Sequence, residues 1–175
     1  MPDANDRRQP ARVLFERECR IGILPLMGLI IRSSSIHAAG CYTTTRIRKG
    51  ARIIEYTGPR ITKERGDEIY ENQFVTYLFG LEDGKMVIDG HGMAMFINHS
   101  CDPNCETYED EGRVWVSALR NIGPGEELTY DYLLYDGDEE APCTCGAKKC
   151  RGTMFSSDEV KKRAKRSGKN GSVKR

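Results

Sequence analysis

The sequence has no apolar run long enough to cross a membrane. The longest such stretch, Ile21 to Ile31, is interrupted by Pro25, whereas a membrane-spanning helix needs about 20 predominantly apolar residues. The polar stretch Met1 to Arg8 does not resemble a signal peptide. We therefore expect an intracellular protein, cytoplasmic, nuclear or nucleoid-associated, with no membrane partner.

The sequence also lacks the paired cysteines of a disulfide framework. It has seven cysteines, an odd number, and the thiols of intracellular proteins stay reduced. This count favours metal binding or free thiols over disulfides.

The chain also lacks a large net charge. Its formal net charge is +1, but the positive and negative residues are distributed unevenly along the sequence. Residues 156–175 carry eight Lys or Arg and only two acidic side chains, Asp158 and Glu159, so the rest of the chain is acidic. We expect residues 156–175 to form a basic, flexible tail without stable structure, suited to weak contact with nucleic acid.

Seven short runs rich in β-branched and aromatic residues predict a mainly β fold with short helices. Gly and Pro residues between the runs indicate turns. The segment from Thr62 to Glu71 is predicted to be a helix, with Thr62 as its N-cap and with Ile69 and Tyr70 on a limited apolar face. The predicted strands contain Leu29–Ile31, Cys41–Thr44, Ile53–Tyr56, Thr76–Phe79, Met86–Ile88, Val114–Val116 and Leu128–Tyr130.

A cluster of cysteines near the C-terminal end predicts a metal site. Cys143, Cys145 and Cys150 place three thiols within eight residues, and Gly146 permits a tight loop. Soft thiolates favour Zn²⁺, which takes four tetrahedral ligands, and an all-thiolate shell would make the ion structural. A fourth ligand has to come from elsewhere in the chain. The candidates are Cys101 and Cys105, followed by His91 and His99.

Two further segments carry groups suited to chemistry. The string from Phe96 to Cys105 combines an apolar start with many donors and acceptors, as recognition of a polar cofactor requires. Tyr130 and Tyr132 stand two residues apart on a predicted strand, so both phenols point to the same face.

Taken in order along the chain, these segments resemble the SET-domain protein-lysine N-methyltransferases that carry a post-SET zinc motif. The resemblance implies a SET fold of small curled β-sheets with a pseudoknot and a C-terminal zinc-binding loop. It implies an N-terminal extension at 1–27, a SET domain at 28–135, an acidic linker and zinc loop at 136–155, and the tail at 156–175. The matching segments are Ile36 to Tyr42 for the glycine-containing cofactor loop, Glu55 to Gly58 for the Tyr-x-Gly element, Phe96 to Asn104 for the Asn-His-Ser-Cys-x-Pro-Asn core, Glu127 to Tyr132 for the closing strand, and Cys143 to Cys150 for the zinc loop.

The same resemblance implies S-adenosyl-L-methionine as methyl donor, a structural Zn²⁺, and a role for each matched residue. Tyr132 would be catalytic with Tyr130 and Tyr77, and Phe79, Tyr130 and Tyr132 would line the lysine channel. The zinc ligands would be Cys101, Cys143, Cys145 and Cys150, leaving Cys105 free. The cofactor contacts would be His37, Ala39, Gly40, Tyr77, Asn98, His99, Thr144 and Phe155.

The sequence departs from the family pattern at two positions. Ala38 stands where many relatives have a glycine, which bears on cofactor affinity, and Met95 stands where an arginine commonly precedes the phenylalanine. These departures favour a first alternative to an active enzyme, a non-catalytic, zinc-stabilised SET-like binding module. The basic tail and the cysteine cluster favour a second, a zinc protein that binds nucleic acid. Retention of Tyr132, Asn98 and His99 argues against the first, and the acidic body argues against the second.

The expected protein substrate is a basic, lysine-containing, histone-like segment. Two acidic groups of residues are suited to attracting it by electrostatic steering. These groups are Glu106, Glu109, Asp110 and Glu111, and then Asp136, Asp138, Glu139 and Glu140.

Overall fold

The computed structural model describes residues 28–73, 75–135 and 140–170. The predicted N-terminal extension and most of the acidic linker lie outside these ranges. All seven predicted runs overlap strands, and the mainly β class is confirmed. The elements are β1 (Leu29–Ser33), β2 (Ala39–Thr43), β3 (Arg52–Tyr56), β4 (Arg60–Thr62), α1 (Lys63–Tyr70), β5 (Leu78–Gly80), β6 (Met86–Asp89), a 3-10 helix (Met93–Phe96), β7 (Asn98–His99), β8 (Cys105–Asp110), β9 (Arg113–Ala118), β10 (Thr129–Tyr130) and α2 (Ser157–Asn170).

The described strands form four small sheets. Two are antiparallel and three-stranded, with the orders β3-β9-β8 and β4-β6-β5, and β1 pairs with β2 in an antiparallel ribbon. The fourth sheet is the short parallel pair of β7 and β10. Strands so short cannot bury much alone, so the sheets are joined through a shared core that includes Ile47, Ile97, Ile122 and Leu128. Each such fully buried side chain stabilises the fold by about 1.5–3 kcal/mol.

Strand β8 was not predicted, because the acidic residues within it suggested a solvated loop. The strand pairs with β9 from Cys105↔Ala118 to Asp110↔Arg113. Glu111 and Gly112 both have positive φ, at 49° and 72°, which is the backbone of a tight two-residue hairpin turn. Exposed and less exposed positions alternate along the strand, with Glu106, Tyr108 and Asp110 on the outer face. Strand β8 is therefore half-exposed, with two acidic residues on its outer face.

Helix α1 begins where it was predicted, but it packs through a different residue. Thr62 is the N-cap, and its Oγ1 accepts a hydrogen bond from the Arg65 N–H. The predicted apolar contact Ile69 is exposed. The buried residue is Gly66, where an added Cβ would lie 2.8 Å from Leu78 Cδ1. A glycine allows the helix backbone to approach the sheet closely, which a search for large apolar residues misses.

The expectation of an unstructured tail differs from the structure, which has helix α2 from residue 157. Ser156 Oγ accepts a hydrogen bond from the Glu159 N–H at 3.2 Å and caps the first turn. Asp158 and Glu159 lie in that turn, where carboxylates interact favourably with the helix dipole. Lysine and arginine have a high helix propensity. The basic composition of residues 156–175, which suggested disorder, is therefore also compatible with a capped helix.

Among the described residues, no helix is long and apolar enough to cross a membrane.

Candidate functional site

The site is built around the place where β7 and β10 pair in parallel, which is called the crossing below. Thr129 pairs with Asn98 and Tyr130 pairs with His99. Asn104 holds the crossing together, because its Nδ2 donates to the Glu127 carbonyl at 2.7 Å and its Oδ1 accepts from the Thr129 N–H at 2.9 Å. The two segments that form the pseudoknot implied by the resemblance are thus paired in parallel, although they lie about thirty residues apart in the chain.

Glu127 connects this crossing to the loop before β2. Its carboxylate accepts hydrogen bonds from Asn98 Nδ2 at 2.7 Å, Ser34 Oγ at 2.8 Å and Tyr42 Oη at 2.9 Å. Asn98 Nδ2 also donates to the Ala39 carbonyl at 2.9 Å. The amide protons of Asn98 are thus used within the protein, which leaves its Oδ1 for a ligand.

The loop at residues 34–40 lies against the zinc loop. Thr144 Oγ1 donates to the Ile36 carbonyl at 3.3 Å. His37 and Ala38 are exposed and Gly40 is buried. An added Cβ at Gly40 would lie 2.2 Å from Glu127 Oε1, so only glycine lets the backbone pass the carboxylate. Ala38, the departure from the family pattern, is an exposed residue of this loop.

A chain of aromatic rings lines one side of the crossing. The Tyr130 and Tyr132 ring centroids are 4.8 Å apart, and Tyr130 and Phe79 are 6.3 Å apart. Phe79 in turn contacts Tyr56 at 5.2 Å. The structure therefore brings together the predicted channel residues Phe79, Tyr130 and Tyr132.

Tyr77 joins this group through its main chain. Tyr56 Oη donates to the Tyr77 carbonyl at 2.7 Å, and the Tyr77 ring lies 6.1 Å from that of Phe96. Tyr56 is buried, so it fixes the backbone that carries Tyr77.

Tyr132 is held in place and kept neutral. Its hydroxyl donates to the Ile97 carbonyl at 3.1 Å. Burial, with a smaller contribution from neighbouring Tyr77 and Glu127, raises the pKa of Tyr132 to about 12. Burial also raises the pKa of Tyr130 well above its ordinary value. Both phenols are therefore un-ionised near neutral pH and can hydrogen-bond, but neither is a ready proton acceptor.

His99 occupies the junction between the aromatic group and the cysteines. Its ring is 3% exposed; its Nδ1 accepts from the Tyr132 N–H at 3.1 Å, and its Nε2 lies 3.3 Å from Cys101 Sγ. An accepting Nδ1 places the hydrogen on Nε2, so the ring donates to that sulfur. Burial, opposed by Asp131, lowers the pKa of His99. Because both ring nitrogens are engaged, only the main chain of His99 is left to meet a cofactor.

Four cysteines converge at the C-terminal side of the site. The Sγ atoms of Cys101, Cys143, Cys145 and Cys150 all lie within 4.8 Å of one another. Cys101 Sγ is 3.7 Å from Cys143 Sγ and 3.9 Å from Cys150 Sγ. Tetrahedral Zn²⁺ with Zn–S bonds of ~2.3 Å requires sulfurs roughly 3.8 Å apart. The donor set and its spacing therefore fit zinc.

Of the other candidates for the fourth position, His99 contacts the Cys101 sulfur but is not one of the four clustered ligands, and Cys105 and His91 lie elsewhere. Cys105 is fully buried in the core, where burial raises the pKa of its thiol to about 12. His91 is exposed and its backbone pairs with Thr57. Cys101 is the residue that the pseudoknot brings to the three local thiols.

Phe155, the last predicted cofactor contact, is buried beside the closing segment. It forms an isolated parallel bridge with Leu134, and the Arg163 guanidinium lies 3.8 Å from its ring centroid. Helix α2 therefore covers one face of Phe155.

Several residues that organise the site were not singled out from the sequence. Glu127 was quoted only as part of a motif, and Ser34, Asn104, Asp131 and Arg151 received no role. A carboxylate directly before a buried strand is a signal for Glu127, because such a group needs donors nearby. The donors that satisfy it lie up to 93 residues away in sequence, so the pairing itself is not readable locally.

Similarity to known proteins agrees with this geometry. Histone-lysine N-methyltransferase trithorax of Drosophila virilis is 39% identical over 129 residues, which cover 67% of this chain and 3% of that protein. The H3 lysine-4 specific histone-lysine N-methyltransferase of Aspergillus fumigatus is 38% identical over 137 residues, covering 69% of this chain and 11% of that protein. The chain thus spans only a small part of the length of these curated relatives.

A solved structure and a family model cover most of the described fold. The crystal structure of KRYPTONITE in complex with mCHH DNA, an H3(1-15) peptide and SAH matches with a TM-score of 0.60 at 27% identity, covering 74% of this chain and 30% of that one. The SET domain family model matches residues 38–133. With the β7–β10 crossing, the aromatic group and the cysteine cluster in the expected order, the chain belongs to the SET domain family.

Proposed function

We propose that the protein transfers a methyl group from S-adenosyl-L-methionine to the side-chain amine of a lysine in a protein substrate. The observation that carries this proposal is the group of neutral phenols at Tyr130 and Tyr132, built onto the crossing that also supports the 34–40 loop. The names of the relatives and the SAH in the KRYPTONITE structure support the same reaction.

The chemistry requires orientation more than a strong base. S-adenosyl-L-methionine supplies an electrophilic methyl group on a sulfonium. The neutral lysine amine donates its lone pair to the methyl carbon, the carbon–sulfur bond breaks with its electron pair going to sulfur, and the new ammonium loses a proton to solvent. The aromatic walls of Phe79, Tyr130 and Tyr132 desolvate the amine, which lowers its pKa, and they align it for attack. Tyr132 and nearby carbonyls orient the reacting groups.

The cofactor is proposed to lie between the 34–40 loop, the crossing and the zinc loop. The Thr144–Ile36 and Asn98–Ala39 hydrogen bonds bring these three segments together. Main-chain groups of the loop and of His99 would then face the cofactor, with Phe155 beside its adenine. The residues assigned to this site are His37, Ala39, Gly40, Tyr77, Asn98, His99, Thr144 and Phe155.

Zinc at Cys101, Cys143, Cys145 and Cys150 is proposed to be structural. Four thiolates fill the tetrahedral shell and leave no position for substrate. Cys101 lies two residues after the end of β7, while the other three sulfurs belong to the zinc loop, so the ion would tie that loop to the crossing.

The substrate class is proposed to be a basic histone-like segment, with the protein acting on chromatin. The relatives are named as histone-lysine methyltransferases, and the KRYPTONITE structure contains an H3(1-15) peptide. The acidic group on β8 gives weaker support, since Asp110 pairs with Arg52 at 2.7 Å and Glu109 accepts from the Glu82 N–H. Of the second acidic group, Asp136, Asp138 and Glu139 lie outside the described residues.

A direct assay tests the proposal. The protein is incubated with radiolabelled S-adenosyl-L-methionine and either core histones or an array of basic peptides, and the labelled residue is located by mass spectrometry. We expect label on lysine side chains and release of S-adenosyl-L-homocysteine. The absence of label on every substrate, from protein that contains one zinc per chain, would favour a non-catalytic binding module.

Contact with nucleic acid is proposed for helix α2 rather than for a flexible tail. Lys161, Lys162, Lys165 and Arg166 border one surface of the helix together with Asp158, and the Lys161 side chain is 71% exposed. Arg163 faces Glu159 and Phe155 instead. Lys161 and Lys162 pair with Asp158 and Glu159 on the helix, and a phosphate backbone would compete with these exposed pairs for the ammonium groups.

Charge removal on that surface tests the contact. The double variant Lys161→Gln, Lys165→Gln is compared with Lys49→Gln, an exposed lysine remote from α2, for binding to double-stranded DNA at several salt concentrations. Each lost phosphate contact should reduce the slope of log K against log salt by about 1. Equal affinities and slopes for both variants would show that α2 does not contact DNA.

A further inference from the structure

Asp131 and Arg151 form an ion pair between the two halves of the site. Asp131 stands between Tyr130 and Tyr132, and Arg151 directly follows Cys150. Arg151 Nη1 donates to Asp131 Oδ2 at 2.7 Å, and Nη2 donates to Oδ1 at 2.8 Å. Two parallel bonds between planar groups fix orientation as well as distance.

This pair is more sheltered than a typical surface pair. The side chains of Arg151 and Asp131 are 22% and 19% exposed, whereas those of Arg52 and Asp110 are 38% and 46% exposed. Limited access of water weakens dielectric screening and strengthens the interaction between the charges. The fork geometry therefore constrains its two segments more than an exposed pair would.

Each partner is connected to a different part of the site. The Arg151 N–H donates to Cys101 Sγ at 3.4 Å. On the other side, Asp131 Oδ1 accepts from the Leu133 N–H at 3.2 Å and lies 3.6 Å from His99 Nδ1. That ring nitrogen accepts from the Tyr132 N–H. The hydrogen bonds of the pair thus connect the Cys101 sulfur to the Leu133 N–H, directly after Tyr132.

The segment after Tyr132 needs such support. Leu133 has φ of 50°, in the left-handed region that a residue with a branched side chain rarely occupies. Conformations of this kind cost about 1–3 kcal/mol and persist only when surrounding contacts hold them. The Asp131 carboxylate supplies one such contact through the Leu133 N–H.

We infer that Asp131 and Arg151 are positioning residues. Their two-bond ion pair holds the Tyr130–Tyr132 segment in a fixed place relative to the zinc loop. The aromatic channel then keeps its geometry only while that loop is docked. The expected effect on catalysis rests on the proposed function, whereas the expected effect on the position of Tyr132 does not.

The test uses the whole protein loaded with zinc. Arg151→Lys keeps the charge but loses the planar fork, and Asp131→Asn keeps the shape but loses the charge. Arg52→Lys is the matched control at the exposed Arg52–Asp110 pair. For each variant, zinc per chain, kcat and KM on a histone peptide are measured, together with the ¹⁹F NMR resonance of Tyr132 in protein labelled with 3-fluorotyrosine and assigned through Tyr132→Phe.

We expect both site variants to retain one zinc per chain, to lose about 10- to 100-fold in kcat with little change in KM, and to shift the Tyr132 resonance. The control should change none of these. The inference is overturned if kcat stays within about twofold of wild type and the resonance does not move, or if the loss of kcat merely follows a loss of zinc.

Failure of the proposed function is distinguishable from failure of this inference. A wild-type protein that transfers no methyl group would refute the function, and the ¹⁹F resonance would still decide the inference. A shift in Arg151→Lys and Asp131→Asn but not in Arg52→Lys supports positioning, and an unmoved resonance in both site variants refutes it.

Discussion

The hydroxyl of Tyr132 is one polar atom in an otherwise apolar wall, held by the Ile97 carbonyl. Tyr132→Phe removes that atom at nearly constant volume. We expect methyl transfer to fall by at least about 100-fold, while zinc content and thermal midpoint change little, because the ring still packs against Tyr130 and His99. Activity within twofold of wild type in a single-turnover assay would contradict the proposed role.

Tyr130 lies on the same wall and is predicted to limit the degree of methylation. Its hydroxyl restricts the space in which a methylated amine must turn before it can attack again. Wild-type protein should yield mainly monomethyl-lysine, and Tyr130→Phe should shift the product toward di- and trimethyl-lysine. Mass spectrometry at low conversion measures this, and trimethyl-lysine as the main wild-type product would refute the prediction.

The buried phenols also predict a response of stability to alkaline pH. Burial raises the pKa values of Tyr56, Tyr130 and Tyr132 above 10, to about 12 for Tyr132. The folded state therefore binds these protons more tightly than the unfolded chain. The free energy of unfolding should be unaffected by these groups below about pH 10 and should fall as the pH rises toward 12.

Absorbance of tyrosinate and thermal midpoints across pH 8–12 measure this effect. Of the eight tyrosines in the chain, the buried ones should ionise after the exposed ones, together with loss of structure. Tyr132→Phe should reduce the fall in stability. Ionisation of all tyrosines in one step near pH 10, with the fold intact, would be inconsistent with a buried aromatic channel.

Among the elements, α2 differs most from its sequence-based expectation. Arg163 pairs with Glu159 at 3.0 Å and lies over the Phe155 ring. A cation–π contact at such a site is worth about 0.5–1 kcal/mol. We expect Arg163→Ala to speed amide hydrogen exchange in residues 157–166 by about two- to fivefold. Arg166→Ala, on the same helix and exposed, is the control, and an equal effect of both changes would mean that α2 is not docked through Arg163.

At the scale of the whole molecule, zinc should determine whether the zinc loop stays docked against the crossing of β7 and β10. Cys101→Ser should abolish binding of one zinc per chain, whereas Cys105→Ser should retain it, because Cys105 lies in the core. Chelation of zinc from the wild-type protein should remove methyl transfer. Most of the strand content, measured by circular dichroism, should remain. Metal analysis with the opposite result for the two cysteines would place the site elsewhere.

Local features of the chain predicted the elements well. The seven β-rich runs all overlap strands, and Thr62 caps α1 as expected. Strand β8 was missed because its acidic residues lie on both faces and conceal the alternation of exposed and less exposed positions. The packing of α1 was missed because a glycine provides the contact. In both cases packing against neighbouring elements decided the outcome, because tertiary contacts outweigh the local propensity of a residue.

The sequence by itself determined the class of fold, the order of the motifs and the three local thiols, since each depends on residues close together in the chain. Only the tertiary structure decided which groups meet across long separations. The β7–β10 crossing brings Cys101 to thiols more than forty residues away, gathers three donors around Glu127, and joins Asp131 to Arg151. These contacts depend on the path of the backbone, which a local pattern of residues does not specify.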